Sequence, residues 1–290
     1  MKNNVFKLNF VGIGISKAGT TWLHQNLARH PDCRLPRYRK ELGYFSNNFT
    51  KSSEWLESFF EAPINSNHAV GEITPHYFDH KEAPLRIKDY GVQKIILMLR
   101  DPIDRFKSSF EMYCRHNNYK GNINTFIYEK PEFLDRSMYS IHLENYLKYF
   151  TKDEILILIS ESAKKDPLES LKAVCFFLNI SWNPSYFPNV NQKINVSNTL
   201  RFPFLFSVFF NIGRFFRYSG FNKTYTLLAN NLKPFFLETR KKSKNKDRFE
   251  LNKKNLTYLR DIYKKDIERM ALLVDLDLGL WKTTLERNEN

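Results

Sequence analysis

The chain has 290 residues, 42% of them hydrophobic, enough for one large α/β domain with a sizeable core. Its 45 Lys and Arg against 31 Asp and Glu leave a formal charge of +14, which raises the local concentration of anionic ligands. Three widely spaced cysteines (Cys33, Cys114 and Cys175) exclude a disulfide framework and a cysteine metal site, and the absence of any helix-turn-helix, zinc-finger or RNP pattern argues against nucleic acid as the partner.

The first predicted strand is the apolar run 6–11. Its start at Phe6 leaves no room for an apolar signal segment, and with three widely spaced cysteines, a usage that suits a reducing compartment, a cytoplasmic location is expected. A Gly-rich turn at 12–21 follows, then a predicted helix over 22–27. A strand, a glycine turn and a helix N-terminus form an anion cradle, because backbone N–H groups and the helix dipole both favour negative charge there. Ser16, Lys17, Ala18, Gly19, Thr20, Thr21 and Trp22 are its candidate binding residues. The nucleoside-triphosphate loop places its lysine after the last glycine, with the magnesium-binding hydroxyl next. Here Lys17 comes before Gly19, so a kinase or GTPase is the alternative rather than the first reading. Taken alone, the loop also reads as an ordinary strand-to-helix turn.

His30-Pro31-Asp32 marks a turn, and the segment 39–45 after it carries Lys40 and Glu41. A further segment, 70–78, holds Glu72, Thr74, Pro75, His76 and Tyr77. His76 and His80 are four apart, but nothing nearby completes a ligand set, so no metal is expected. The run 94–99 is short and wholly apolar after Lys94, as in a buried parallel strand. Arg100 stands at its C-terminal end, where open α/β sheets bind ligands. Pro102 and Asp104 suit a helix start, which puts Ser108 about two turns into that helix. A guanidinium fork and a hydroxyl at these positions suit a phosphate. Arg105 reads as a surface charge.

Together these segments resemble the sulfotransferases that use 3′-phosphoadenosine 5′-phosphosulfate, and most of all the heparan-type and bacterial carbohydrate enzymes. The turn with Lys17 resembles their 5′-phosphosulfate loop, which implies a catalytic role for Lys17 in neutralising charge on the bridging oxygen. The stretch from Arg100 to Ser108 resembles their R-D-P-x-x-R-x-x-S motif, which implies that Arg100 and Ser108 grip the ribose 3′-phosphate. The segment at 40–45 resembles their K-E-x-x-Y/F-F, which implies that Glu41 is the catalytic base. The segment at 72–78 is similar to E-K-T-P-x-Y-F, except that Ile73 stands where that family often has an acceptor-contacting lysine. Lys40, Glu72 and His76 are the acceptor-side candidates, with Glu72 second in line as base and His76 and His116 in reserve. The resemblance implies sulfuryl transfer without a metal. The acceptor would be a hydroxyl, less readily an amine, on a glycan, a glycolipid or a small metabolite.

The rest of the chain alternates in the same way. A helix is expected over 137–147 and a strand over 154–159, then a helix with Asp166 as N-cap and Pro167 at its first position. Cys175 reads as core within that helix. The loop 191–203 resembles one that closes over the nucleotide, which implies a cofactor contact for Arg201 and a weaker one for Lys193. The aromatic stretch 202–216 is too broken to span a bilayer, so it reads as a packed helix, a homodimer contact or a membrane-peripheral surface. The run 240–248 is a basic linker, and 251–275 is an amphipathic helix. The expected architecture is a single α/β domain over 1–290: a P-loop-like parallel sheet with helices on both faces (core about 5–200) and a helical C-terminal extension (about 201–285). A polyanion-binding protein without catalysis is the other alternative, and it would show a steep salt dependence.

Overall fold

The computed structural model describes residues 6–37, 39–61, 64–65, 67–190, 247–274, 276 and 278–285, with the backbone of 198–200 and 237–239. Arg201, Lys193, the aromatic stretch 202–216 and most of the basic run (240–246) lie outside the described residues. The chain divides into two compact units, 1–192 with 247–290, and 193–246. In the smaller unit, the described strands Asn198–Leu200 and Leu237–Thr239 pair antiparallel.

The larger unit contains β1 (Phe10–Gly14), α1 (Thr20–Leu27), β2 (Cys33–Arg34), α2 (Ser53–Glu57), β3 (Ala69–Ile73), α3 (Ala83–Tyr90), β4 (Lys94–Leu99) and α4 (Pro102–Asn117). There follow α5 (Ile123–Glu129), α6 (Glu132–Asp135), α7 (Tyr139–Leu147), β5 (Ile155–Ile159), α8 (Ser160–Lys165), α9 (Pro167–Leu178), α10 (Lys253–Leu273) and α11 (Lys282–Leu285). The five strands form one parallel sheet in the order β2-β3-β1-β4-β5. The apolar run 94–99 is a strand from end to end, with Ile95 to Leu99 all buried. Burial on both faces is what an apolar run without alternation specifies. Because β1 pairs with β4, the turns that follow these two strands are neighbours at the carboxyl edge of the sheet. The strand order reverses there, and such a crevice is where open α/β sheets hold ligands.

The first strand begins four residues later than the apolar run suggests, at Phe10, and it takes in Gly12 and Gly14 from the expected turn. The reason is close approach between strands. A Cβ on Gly14, whose φ is +142°, would lie 2.5 Å from the backbone N of Met98 on β4. The true turn is 15–19, and α1 starts at Thr20 rather than Trp22.

Asp101 fixes the start of α4. Its carboxylate accepts from the N–H of Ile103 at 3.0 Å and of Asp104 at 3.2 Å, with Pro102 at the first helical position. The same carboxylate accepts from the hydroxyl and the N–H of Thr284, at 2.7 and 3.1 Å, and so ties the C-terminal helix α11 to the ligand edge of the sheet. Asp266 on α10 likewise caps α7 through the N–H groups of Tyr139 and Ser140.

Arg105 is not a surface charge. It is 1% exposed, and its guanidinium donates to Ser137 Oγ, to Ser109 Oγ at 3.1 Å and to the Phe133 carbonyl. Burial lowers its pKa, and hydrogen bonds to neutral oxygens are what make the buried charge tolerable. One turn of helix and one neighbouring chain segment are thereby cross-linked. Arg105→Ala is expected to destabilise the fold by about 2–4 kcal/mol, since it leaves a void and several unpaired polar groups. Arg105→Lys restores little of that, because an ammonium lacks the planar fork. A lowered urea midpoint at unchanged m-value is the check.

No helix among the described residues is long and apolar enough to cross a membrane.

Candidate active site

The turn after β1 is held down at both ends. The N–H of Ile15 donates to Met98 O at 3.1 Å and that of Ala18 to Ile15 O at 3.1 Å, while Ala18 itself is fully buried. Gly19 then takes φ +101° as the N-cap, with no side chain capping the helix. The N–H groups of Thr20 and Thr21 have no intrahelical acceptor and face the turn. Trp22 is pinned from behind, its indole N–H donating to Val190 O at 3.0 Å.

Four non-glycine residues of the described chain have positive φ. Asn118 and Asn179 are helix C-caps, a place where asparagine tolerates that conformation. The other two are Lys17 (φ 77°) and Glu41 (φ 62°), the two residues expected to carry the chemistry. Left-handed backbone at such residues is costly and persists where the surroundings enforce it.

Lys17 stands in a group of cations. Burial lowers its pKa, and Arg115, Arg100 and Lys40 lower it further. Arg100 donates from Nη1 to the Lys17 carbonyl at 3.3 Å, and its own carbonyl is held by the Tyr139 hydroxyl at 2.9 Å. Arg100 Nε and His24 Nε2 are buried without a hydrogen-bond partner among the described residues, and Arg115 Nη1, which lies 3.8 Å from Glu111 Oε2, makes no hydrogen bond there. An unspent guanidinium donor beside a partly desolvated lysine suits a site for an anion. Ser108 lies half-buried on α4. By helical spacing it shares a face with Asp104, Glu111 and Arg115.

Lys40 brings the second half of the site to the first. Its ammonium donates to Thr21 Oγ1 at 2.9 Å and to Glu41 Oε1 at 3.0 Å, and reaches Thr20 Oγ1 at 3.4 Å. Glu41 remains partly open, with 45% of its side chain exposed. Lys40 thus links the head of α1 to Glu41.

Below them sits Glu72, at 0% exposure. It accepts from Thr74 Oγ1 at 2.6 Å and from the Tyr77 hydroxyl, so each of its oxygens holds a protein hydroxyl. Burial lifts its carboxyl to about 7, against the pull of its hydrogen-bond donors. His76 is lowered by burial, and its Nε2 lies 2.8 Å from Ser46 Oγ.

Two further residues bear on this site, His24 and Arg115, neither marked by a motif in the sequence. His24 follows Thr20 by one turn of α1, and burial, then Lys40, hold its pKa at about 4. Arg115 follows Ser108 by about two turns of α4. Helical spacing from the recognised threonine and serine would have found both.

The sequence pattern of the sulfotransferase domain matches residues 10–271. Over 198 residues the chain is 30% identical to the bifunctional heparan sulfate N-deacetylase/N-sulfotransferase 4 of Mus musculus, a span of 61% of this chain and 23% of that one. It is 29% identical over 182 residues to the heparan sulfate glucosamine 3-O-sulfotransferase 3B1 of Mus musculus, covering 58% of this chain and 45% of the relative. The chain thus spans less than half the length of these relatives. Among solved structures, a sulfotransferase from Alicyclobacillus acidocaldarius superposes with a TM-score of 0.66 at 18% identity, covering 96% of this chain and all of that one, which shows the fold. The sheet, the turn after its central strand and the match over 262 consecutive residues (10–271) agree, and the chain belongs to the sulfotransferase family.

Proposed function

We propose that this chain transfers a sulfuryl group from 3′-phosphoadenosine 5′-phosphosulfate to a carbohydrate hydroxyl, with Glu41 as the base. The observation that carries the reading is the Lys40 ammonium, which joins the hydroxyl of Thr21 at the head of α1 to the carboxylate of Glu41. It sets a general base beside an anion cradle, the arrangement that in-line group transfer to a hydroxyl requires. The relatives' heparan sulfate names support a carbohydrate acceptor.

The residues fit the nucleotide. Lys17 and the N–H groups at the head of α1 would hold the 5′-phosphosulfate, and Arg100 with Ser108 the 3′-phosphate. When bound, the nucleotide supplies the sulfuryl group and the adenosine 3′,5′-bisphosphate leaving group. Lys17 and its neighbouring amides stabilise negative charge at the bridging oxygen. Glu41 Oε2 takes the acceptor's proton while Lys40 holds Oε1. His24, neutral at physiological pH, lies beside Lys40 and Glu41 without adding charge.

Calorimetric titration tests the donor half. Adenosine 3′,5′-bisphosphate is expected to bind tightly without metal, while ATP with magnesium binds weakly or not at all. Preference for magnesium-ATP would replace this reading with a nucleotide kinase.

A further inference from the structure

We propose that Glu72 is a positioning residue for the base, acting through two hydroxyl relays that fix the backbone of the Glu41 loop. The inference rests on the reading of Glu41 as base.

The relays follow from where protons must lie. Thr74 and Tyr77 each have one hydroxyl proton, and each gives it to the Glu72 carboxylate. Their oxygens are then free to accept from the loop. Gly43 N–H donates to Thr74 Oγ1 at 3.2 Å, and Phe45 N–H donates to Tyr77 Oη at 3.1 Å. Both loop amides are buried, so an unmade bond would leave an unpaired donor. Glu41 precedes this clamp by two residues and holds φ 62°. Two fixed amides immediately downstream are what keep a non-glycine residue in that conformation. The Tyr146 hydroxyl, donating to Tyr77 O at 3.0 Å, anchors the relay from α7.

The relays need the carboxylate itself. A glutamine at 72 keeps the shape, but its NH₂ must donate to one hydroxyl. That hydroxyl then loses the acceptor that oriented its own proton, and the bond it accepts from the loop amide is no longer fixed. Protonation of Glu72 does the same. The titratable groups that bear on it are Tyr77, whose phenol is itself raised by burial and by Glu72, and Glu41.

The test compares Glu72→Gln, Tyr77→Phe, Glu41→Gln and the double variant Glu41→Gln/Glu72→Gln, in kcat, KM, pH profile and adenosine 3′,5′-bisphosphate affinity. Glu72→Gln is expected to lower kcat about 10- to 100-fold at unchanged nucleotide affinity, the scale of a misplaced catalytic group. Tyr77→Phe removes one relay with the ring retained, and is expected to lower kcat by a smaller factor. In wild type kcat rises as pH rises through about 7, where Glu72 ionises, and this limb vanishes in Glu72→Gln. The double variant is expected to match Glu41→Gln alone, since Glu72 acts only through Glu41. If the two losses multiply, or kcat is unchanged in Glu72→Gln and Tyr77→Phe, the relay is overturned. If Glu41→Gln alone keeps the wild-type kcat, the base reading fails instead, and the relay has nothing to position.

Discussion

Arg100→Ala is expected to weaken adenosine 3′,5′-bisphosphate binding about 100- to 1,000-fold, the cost of removing a guanidinium that makes charge-assisted bonds to phosphate in a partly desolvated site. Its Nε is buried and unpartnered while Nη1 is spent on the Lys17 carbonyl, so one edge of the fork is committed to the protein and the rest is free for a ligand. Truncation leaves the strand end in place, because the Tyr139 hydroxyl holds the backbone carbonyl of Arg100 and not its side chain. Asp104, 4.0 Å from Nη2, is the nearest carboxylate and loses little. Arg100→Lys is expected to recover only part of the affinity, since a point charge cannot replace a planar fork. Calorimetry on the three proteins measures this, and unchanged affinity in Arg100→Ala would move the 3′-phosphate elsewhere.

Glu41→Gln is expected to lower kcat by about 100- to 10,000-fold, the usual range for losing a general base. Nucleotide affinity should stay near wild type. Glutamine still offers an oxygen to the Lys40 ammonium, so the bridge to Thr21 survives and only the proton acceptor is lost. Lys40→Ala is a different lesion. It frees Glu41 and removes a cation from beside Lys17, so both kcat and nucleotide affinity should fall. Steady-state rates together with nucleotide titrations separate the two patterns.

The parts of this site that could be read in the sequence are those where the chemistry is local. The strand 94–99 is apolar after Lys94 and sits on both-face burial, so its ends in the structure are those of the run itself. Arg100, Asp101 and Pro102 follow one another, and each role depends on a position beside the strand end or helix start. The first strand was harder. Gly12 and Gly14 look like turn residues, yet they serve the strand, because what excludes a side chain is Ile73 on β3 at Gly12 and Met98 on β4 at Gly14, both far away in sequence. Arg105 defeated the reading for a similar reason. Its partners Ser109, Phe133 and Ser137 come from α4 and the segment before α7, and only folding shows that a charged residue in a basic chain has gone inside. Glu72 was legible as part of a motif but not in its role. Its burial beneath the 41–45 loop depends on β3 lying beside β1, which no spacing along the chain reveals.

Sulfuryl transfer itself is the most direct test. Radiosulfate-labelled 3′-phosphoadenosine 5′-phosphosulfate would be incubated with the full chain and with heparan-type oligosaccharides and simpler glycans, without added metal. The account predicts label in a sulfate ester on a glycan, release of adenosine 3′,5′-bisphosphate in equal amount, and loss of both in Glu41→Gln. Transfer at the wild-type rate by Glu41→Gln, or nucleotide binding with no transfer to any carbohydrate, would contradict it.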